Sequence, residues 1–157
     1  FLMIKLLRVD ERFVHGQVAF AWTNNLGANC IFVASNEIAT NNLRKKTLKM
    51  AVPTGTKFVV KDMTEAISVL NGEKIKKYQV FLIVGTVEDA YEITQHVPEI
   101  KEVNLGNLKK NENRKMITSS VYLNEQELDL VKKMTENGIT VQCQAVPTDK
   151  KINPLHD

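Results

Sequence analysis

Short apolar runs alternate with stretches of helical periodicity along this chain, and that alternation restricts its fold more than any other feature. The runs cover residues 3–9, 30–34, 57–60, 80–84, 102–105, 120–123 and 140–146. They are rich in Val, Ile and Phe, and several are apolar at almost every position, as strands covered on both faces of a parallel sheet must be. Between them, residues 16–26, 38–51, 63–72, 87–97 and 125–137 place apolar side chains at helical spacing. Asp62 and Asn124 stand where they can cap the helices that follow, and Thr86 with Asp89 fits a capping-box-like start. Gly27, Gly72 and Gly138 fall where helices need a left-handed cap, and Pro53 and Pro98 also follow helical runs. The pattern predicts an α/β fold: a doubly wound, mainly parallel open sheet of about six to seven strands with helices on both faces. Residues 106–118 are polar and turn-rich and interrupt the alternation, which predicts a long loop or a small antiparallel hairpin.

Length and composition narrow the function classes. The 157 residues suit one domain, expected over 3–147, with 148–157 as a C-terminal tail. A net charge of +3, from 21 basic and 18 acidic residues, is too mild to imply nucleic-acid binding. No apolar run reaches the roughly 20 residues that a membrane helix needs. No signal-peptide pattern opens the sequence, so a cytoplasmic location is expected. Phe1-Leu2, ahead of Met3, is read as a processing remnant. Cys30 and Cys143 each sit inside an apolar run and are expected to be buried, unreactive thiols.

In an open α/β sheet the ligand site lies beyond the carboxyl ends of the strands, where strand order reverses. The first strand usually borders that point, so the loop at residues 10–16 is the first place to seek chemistry. The segment Arg8-Val-Asp10-Glu11-Arg12-Phe-Val-His15-Gly16-Gln17 brings two arginines, two acids and a histidine between a strand and a helix. His15 falls at the helix start, where unpaired N–H groups and the positive end of the dipole favour an anion. Arg8 and Arg12 offer planar, multi-donor contacts to phosphoryl oxygens. Asp10 can hold an arginine or orient the imidazole, which decides the nucleophilic nitrogen. Gly16 leaves room beside the ring for a tetrahedral group. Other chemistries lack their parts. No second His or Cys lies at ligand spacing from His15, so no metal is expected, nor any cofactor. Neither a Gly-x-Ser-x-Gly elbow nor a dinucleotide or phosphate-loop signature occurs.

The pattern Arg-[Val/Ile]-Asp-x-Arg-x-x-His-Gly-Gln after a first strand closely resembles the active-site loop of enzyme IIB in the bacterial sugar phosphotransferase system, mannose/fructose/sorbose family. The resemblance extends to Val-Ala-Ser-Asn-Glu at 33–37, to the Arg/Lys-rich second helix and to Val-Asn-Leu-Gly-Asn at 103–107. It implies a IIB-type phosphocarrier domain in which His15 matches the phospho-acceptor. Arg8, Asp10, Arg12, Gly16 and Gln17 match the rest of the signature. It further implies a IIA domain as donor, membrane IIC and IID subunits that present the sugar, and peripheral association with the inner face of the cell membrane. Gly106-Asn107 departs from the Gly-Gly pair of many relatives.

Beyond the loop, alternatives stay open. Ser35 and Asn36 end the second strand and either reach the phosphoryl group or serve as turn and cap residues. Gly85 and Thr86 end the fourth strand and either line the same crevice or form an ordinary cap. Asn107 and Lys109 share the irregular loop and either approach the site or, as is expected, lie in solvent. Arg44, Lys45, Lys46 and Lys49 form a basic helix face, either solvated or a docking surface for an acidic partner. Trp22 and Phe20 are expected as core and packing residues, and His96 at a helix end is assigned no chemistry. His156 is expected to be a disordered tail residue. A reading from another class is a non-catalytic regulatory module that binds an anion or a phosphoprotein in the same pocket.

Overall fold

The computed structural model describes residues 3–155; the readings made for Phe1-Leu2 and His156 lie outside them. Strands β1 (Ile4–Asp10), β2 (Cys30–Ala34), β3 (Lys57–Lys61), β4 (Val80–Val84), β5 (Glu102–Asn107) and β8 (Thr140–Cys143) form one sheet. Their order is β3-β2-β4-β1-β5-β8, and each neighbouring pair is parallel. A separate antiparallel hairpin pairs β6 (Lys115–Met116) with β7 (Tyr122–Leu123). The helices are α1 (Gly16–Leu26), α2 (Asn36–Ala39), α3 (Asn42–Lys49), α4 (Met63–Leu70), α5 (Val87–His96) and α6 (Glu125–Glu136).

Period-two alternation sends successive strand residues to opposite faces, and two cores result. Leu7, Val9, Phe32, Leu82 and Val84 pack with α4, α5 and α6 through Ala66, Ala90, Ile93 and Met134. Leu6, Ile31, Val33, Phe81 and Ile83 pack on the other face with α1, α2 and α3 through Trp22, Ile38 and Leu48. β4 and β5, which flank β1, lead to α5 and α6 on the first face, whereas β1 leads to α1 on the second. The carboxyl end of β1 is therefore the topological switch point.

Local sequence explains most element ends. Asp62, Thr86 and Asn124 accept hydrogen bonds from Glu65, Asp89 and Glu127, each three residues on, and Asn124 completes a capping box with Glu127. Gly27 and Gly138 take the left-handed conformation, at φ 64° and 86°. Gly72 does not: α4 ends in the right-handed cap Asn71.

Three other expectations are corrected, and one element is added. The helix expected over 38–51 is two helices, because Ser35 and Asn41 each cap a new start by accepting from Ile38 and Arg44 N–H groups. A 3₁₀ turn at Lys74–Lys77 precedes β4. The run at 120–123 belongs to the hairpin, so the main sheet has six strands. Phe20 is 57% exposed, because α1 buries Ala19, Trp22 and Thr23 on the opposite side of its axis. Past the end of β8, Ile152 pairs with Cys143 in an antiparallel bridge.

Phe32 is fully buried at the middle of β2. Phe32→Ala is expected to lower the unfolding free energy by about 3–5 kcal/mol in urea titration, with the m-value unchanged.

Candidate functional site

β1 ends in a polar cluster on the α1 face of the sheet. Alternation puts Arg8 and Asp10 on the same side as Leu6, where apolar residues would otherwise continue. Arg8 is 2% exposed and Asp10 is fully buried. The Arg8 guanidinium donates through Nε and Nη2 to Asp10 Oδ2, at 3.2 and 3.1 Å. Nη1 donates to Asn104 Oδ1 at 2.8 Å and to the Gln144 carbonyl at 3.3 Å. Asn104 lies directly across the β1–β5 register from Arg8, and its own amide donates to the same Gln144 carbonyl at 3.0 Å. The Trp22 ring covers the guanidinium at 5.5 Å from its centroid, and its indole N–H donates to the Ala145 carbonyl at 2.9 Å. Beside the guanidinium lies Gly106, where any Cβ would overlap Arg8. Arg8 is thus enclosed, and its donors point into the protein.

Asp10 connects this enclosed cation to the loop. Its Oδ2 takes both Arg8 donors and lies 2.8 Å from His15 Nε2. Its Oδ1 accepts the Arg12 backbone N–H at 2.8 Å and, more weakly, the Asn107 amide at 3.4 Å. Burial by itself would raise the Asp10 carboxyl, but the His15 hydrogen bond, the charges of Arg8 and His15 and the Arg12 N–H outweigh it. The net effect holds the carboxyl below its ordinary value. Asp10 is therefore a carboxylate at neutral pH, and a carboxylate only accepts. His15 must donate from Nε2–H, and in the neutral imidazole the lone pair is then on Nδ1.

His15 is the N-cap of α1, with extended backbone, and its side chain makes no capping bond. Its side chain is 14% exposed. Among the described residues no other side chain caps this helix end, so none of them accepts from the first-turn N–H groups of Gly16 and Gln17. Gly16 has φ 43°, and a Cβ built on it meets nothing within 4 Å. That positive φ is a backbone turn which favours glycine over residues with a side chain. Arg12 and Gln17 are exposed, and among the described residues the Arg12 guanidinium has no hydrogen-bond or ion-pair partner.

The loop reaches His15 through a strained residue. Phe13 sits at φ 57°, a conformation that costs a bulky L-residue on the order of 1–3 kcal/mol. Its ring is held against Gly85, where a Cβ would press into the ring, and the Arg44 guanidinium lies 5.8 Å from its centroid. Ser35, Asn36, Gly85 and Thr86 meet Phe13 and Glu11 around an open crevice of about 370 Å³. His15 is not part of its lining. Three of these side chains accept backbone N–H groups at helix starts: Ser35 Oγ from Ile38, Asn36 Oδ1 from Met63 and Thr86 Oγ1 from Asp89. The structure thus links Arg8, Asp10 and His15 at one point, which also takes the Arg12 backbone N–H, with Gly16 and Gln17 following in the first turn of α1. It gathers Ser35, Asn36, Gly85 and Thr86 at a neighbouring one, joined to the first by Phe13.

Asn104, Gln144 and Gly106 were not singled out by sequence for this cluster. Asn104 had a signal, as a polar residue inside an apolar run on the inward side of its strand, whereas Gln144 takes part through its backbone carbonyl, which no residue type announces. Of the basic helix face, Arg44 pairs with Glu37 at 3.3 Å, while Lys46 and Lys49 are exposed. Cys30 and Cys143 are buried, and burial pushes their thiols up to about 11 and about 12. Among the described residues, no group of three or more His, Cys, Asp or Glu side chains could hold a metal ion. No helix among them is long and apolar enough to cross a membrane.

The family model for the PTS system sorbose subfamily IIB component matches residues 4–156. This chain belongs to that family. A probable phosphotransferase enzyme IIB component of Streptococcus pyogenes serotype M6 is 34% identical to it, over 96% of both chains. The mannose-specific EIIAB component of Escherichia coli K12 is 30% identical over 99% of this chain, which spans 48% of that longer protein. In fold, the IIB domain of the sorbose permease from Klebsiella pneumoniae superposes with a TM-score of 0.92 over 97% of this chain and 93% of its own, at 24% identity. Its relatives are phosphotransferase components, and the IIB chain described here is accordingly a phosphotransferase of the sugar-transport system.

Asp10→Asn leaves the buried Arg8 charge without its partner and is expected to cost about 3–5 kcal/mol of stability near neutral pH. The folded-state carboxyl lies below its ordinary 3.8, so the ion-pair contribution is complete above that value. It is lost as pH falls through the lower, folded-state value. Urea titrations should therefore show the gap between the two proteins closing below about pH 4.

Proposed function

We propose that His15 carries a phosphoryl group between a IIA donor and a sugar held by membrane IIC and IID subunits. One observation carries the reading: Asp10 holds His15 by Nε2 at the amino end of α1, so that in the neutral ring Nδ1 carries the lone pair.

In the first step the Nδ1 lone pair attacks phosphorus on the phosphohistidine of the IIA domain. A new N–P bond forms, the donor's N–P bond breaks, and its electron pair returns to the donor imidazole. Nε2–H stays hydrogen-bonded to the Asp10 carboxylate, which offsets the positive charge that the substituted ring acquires. Arg12 and the N–H groups of Gly16 and Gln17 take the phosphoryl oxygens. In the second step a sugar hydroxyl oxygen attacks phosphorus, the His15 N–P bond breaks, and the pair returns to Nδ1. The hydroxyl proton leaves to solvent or to a base of the sugar site.

Arg8 acts on this chemistry through Asp10, because its own donors are taken inside the fold. The ring thus meets a fixed carboxylate on one side and mobile or backbone donors on the other. That division suits a relay, since the phosphoryl group must be held and then released. Gly85 serves the site by seating Phe13 and so fixing the loop, and Ser35, Asn36 and Thr86 line the crevice beside it. The sugar is chosen where it is bound, in the permease. The carrier works in the cytoplasm and reaches the membrane through that partner.

Incubation with the general phosphotransferase proteins, a cognate IIA and phosphoenolpyruvate is expected to add one phosphoryl group to the intact mass. The adduct should be labile in acid and stable in base. His15→Ala should show no gain. Labelling of that variant to the same extent contradicts the assignment, and an unlabelled wild-type chain would indicate a module that binds anions without a covalent step.

A further inference from the structure

A second ion network touches the His15 loop from the opposite end. Arg114, just before β6, donates through Nη1 to Glu11 Oε2 and to the Lys109 carbonyl, both at 2.9 Å. Through Nε and Nη2 it grips Glu127 in a fork, at 3.1 and 2.8 Å. The Arg114, Glu11 and Glu127 side chains are only 10%, 22% and 4% exposed. Glu11 Oε1 also accepts the Lys109 N–H at 2.7 Å, and Glu127 Oε1 accepts the Asn124 N–H at 2.8 Å in the capping box of α6. One guanidinium therefore joins the loop after β1, the segment leading into the hairpin and the start of α6.

The attachment lies next to the chemistry. Glu11 follows Asp10 directly, and its backbone N–H donates to the Asn107 carbonyl at 2.9 Å, while the Asn107 amide reaches Asp10 Oδ1. With the strained Phe13 further along, the loop is pinned at both of its ends. A single cation also holds two carboxylates, so its removal leaves two like charges together in a poorly hydrated place. An ordinary surface ion pair has neither property.

We propose that Arg114 is a positioning residue for His15. It holds Glu11, and with it the loop carrying Asp10, Arg12 and His15, in the geometry that accepts and releases a phosphoryl group. It also neutralises a carboxylate on the loop that must receive a dianion. The inference rests on the carrier reading of that loop. A displacement of about 1 Å at a reacting group can cost roughly a hundredfold in rate, so a clamp outside the site is enough to govern it.

The test compares wild type, Arg114→Met and Arg114→Lys, each labelled with ¹⁵N at histidine. The His15 ring signals are recorded with no phosphoryl donor present, and transfer from a phosphorylated IIA domain is then followed in single turnover. Arg114→Met is expected to melt cooperatively, to shift or lose the Nε2–H signal and to slow transfer at least tenfold. Arg114→Lys, which keeps the charge but not the fork, should recover part of the rate. Unchanged ring signals in Arg114→Met overturn the proposal, as do shifted signals with an unchanged rate. If Arg114→Met does not fold, Glu11→Gln takes its place under the same criteria. The ring signals need no donor. A wild-type chain that never becomes phosphorylated would defeat the carrier reading, and the clamp would then stand or fall on those signals alone.

Discussion

The buried Asp10 carboxylate is the interaction on which the rest of the site depends. It sits at the last position of β1, the strand at the centre of the sheet, and joins a fully enclosed arginine to a partly exposed histidine. A carboxylate in such a place is costly unless paired and hydrogen-bonded on both oxygens. Here both are satisfied: Oδ2 by Arg8 and His15, Oδ1 by the Arg12 N–H and Asn107. Replacing the cluster by apolar residues would give a simpler core. What the charges contribute is direction, because a carboxylate fixed by Arg8 fixes in turn which imidazole nitrogen faces outward.

That arrangement grows from the topology. β1 leads to α1 on the opposite face from the helices that follow its neighbours, so its tip opens into space while its body stays covered. Trp22 on α1 and Gly106 on β5 close over the Arg8 guanidinium from different elements. The arginine is thus a tie between sheet and helix as well as a counter-ion. Phe13 against Gly85 and Arg114 on Glu11 fasten the remaining loop, and His15 is left as the partly exposed end of a chain of contacts. Preorganisation of this kind limits the reorganisation required when charge appears on the ring.

Much of this was legible in the sequence, and the misses have physical causes. The apolar runs located all six strands of the main sheet, since a strand covered on both faces leaves few alternatives. The clustering of charge at 8–17 located the site. Propensity did not resolve the break between α2 and α3, because Asn41 reads as a mid-helix residue until its capping bond to Arg44 is seen. The run at 120–123 looked like a sheet strand, although it pairs only with a short hairpin partner. Long-range partners were the main loss. Nothing near residue 8 indicates that Asn104, Gln144 and Trp22 will enclose it. Nothing near Glu11 points to an arginine 103 positions away.

The nitrogen that carries phosphorus is the most direct test of the whole scheme. The chain, labelled with ¹⁵N at histidine and phosphorylated through its donor, can be examined for coupling between phosphorus and the His15 ring. Phosphorus on Nδ1, with Nε2 still protonated and bonded to Asp10, is the predicted result. Phosphorus on Nε2 would require the Asp10 bond to be broken before transfer, and it would contradict the account at its centre.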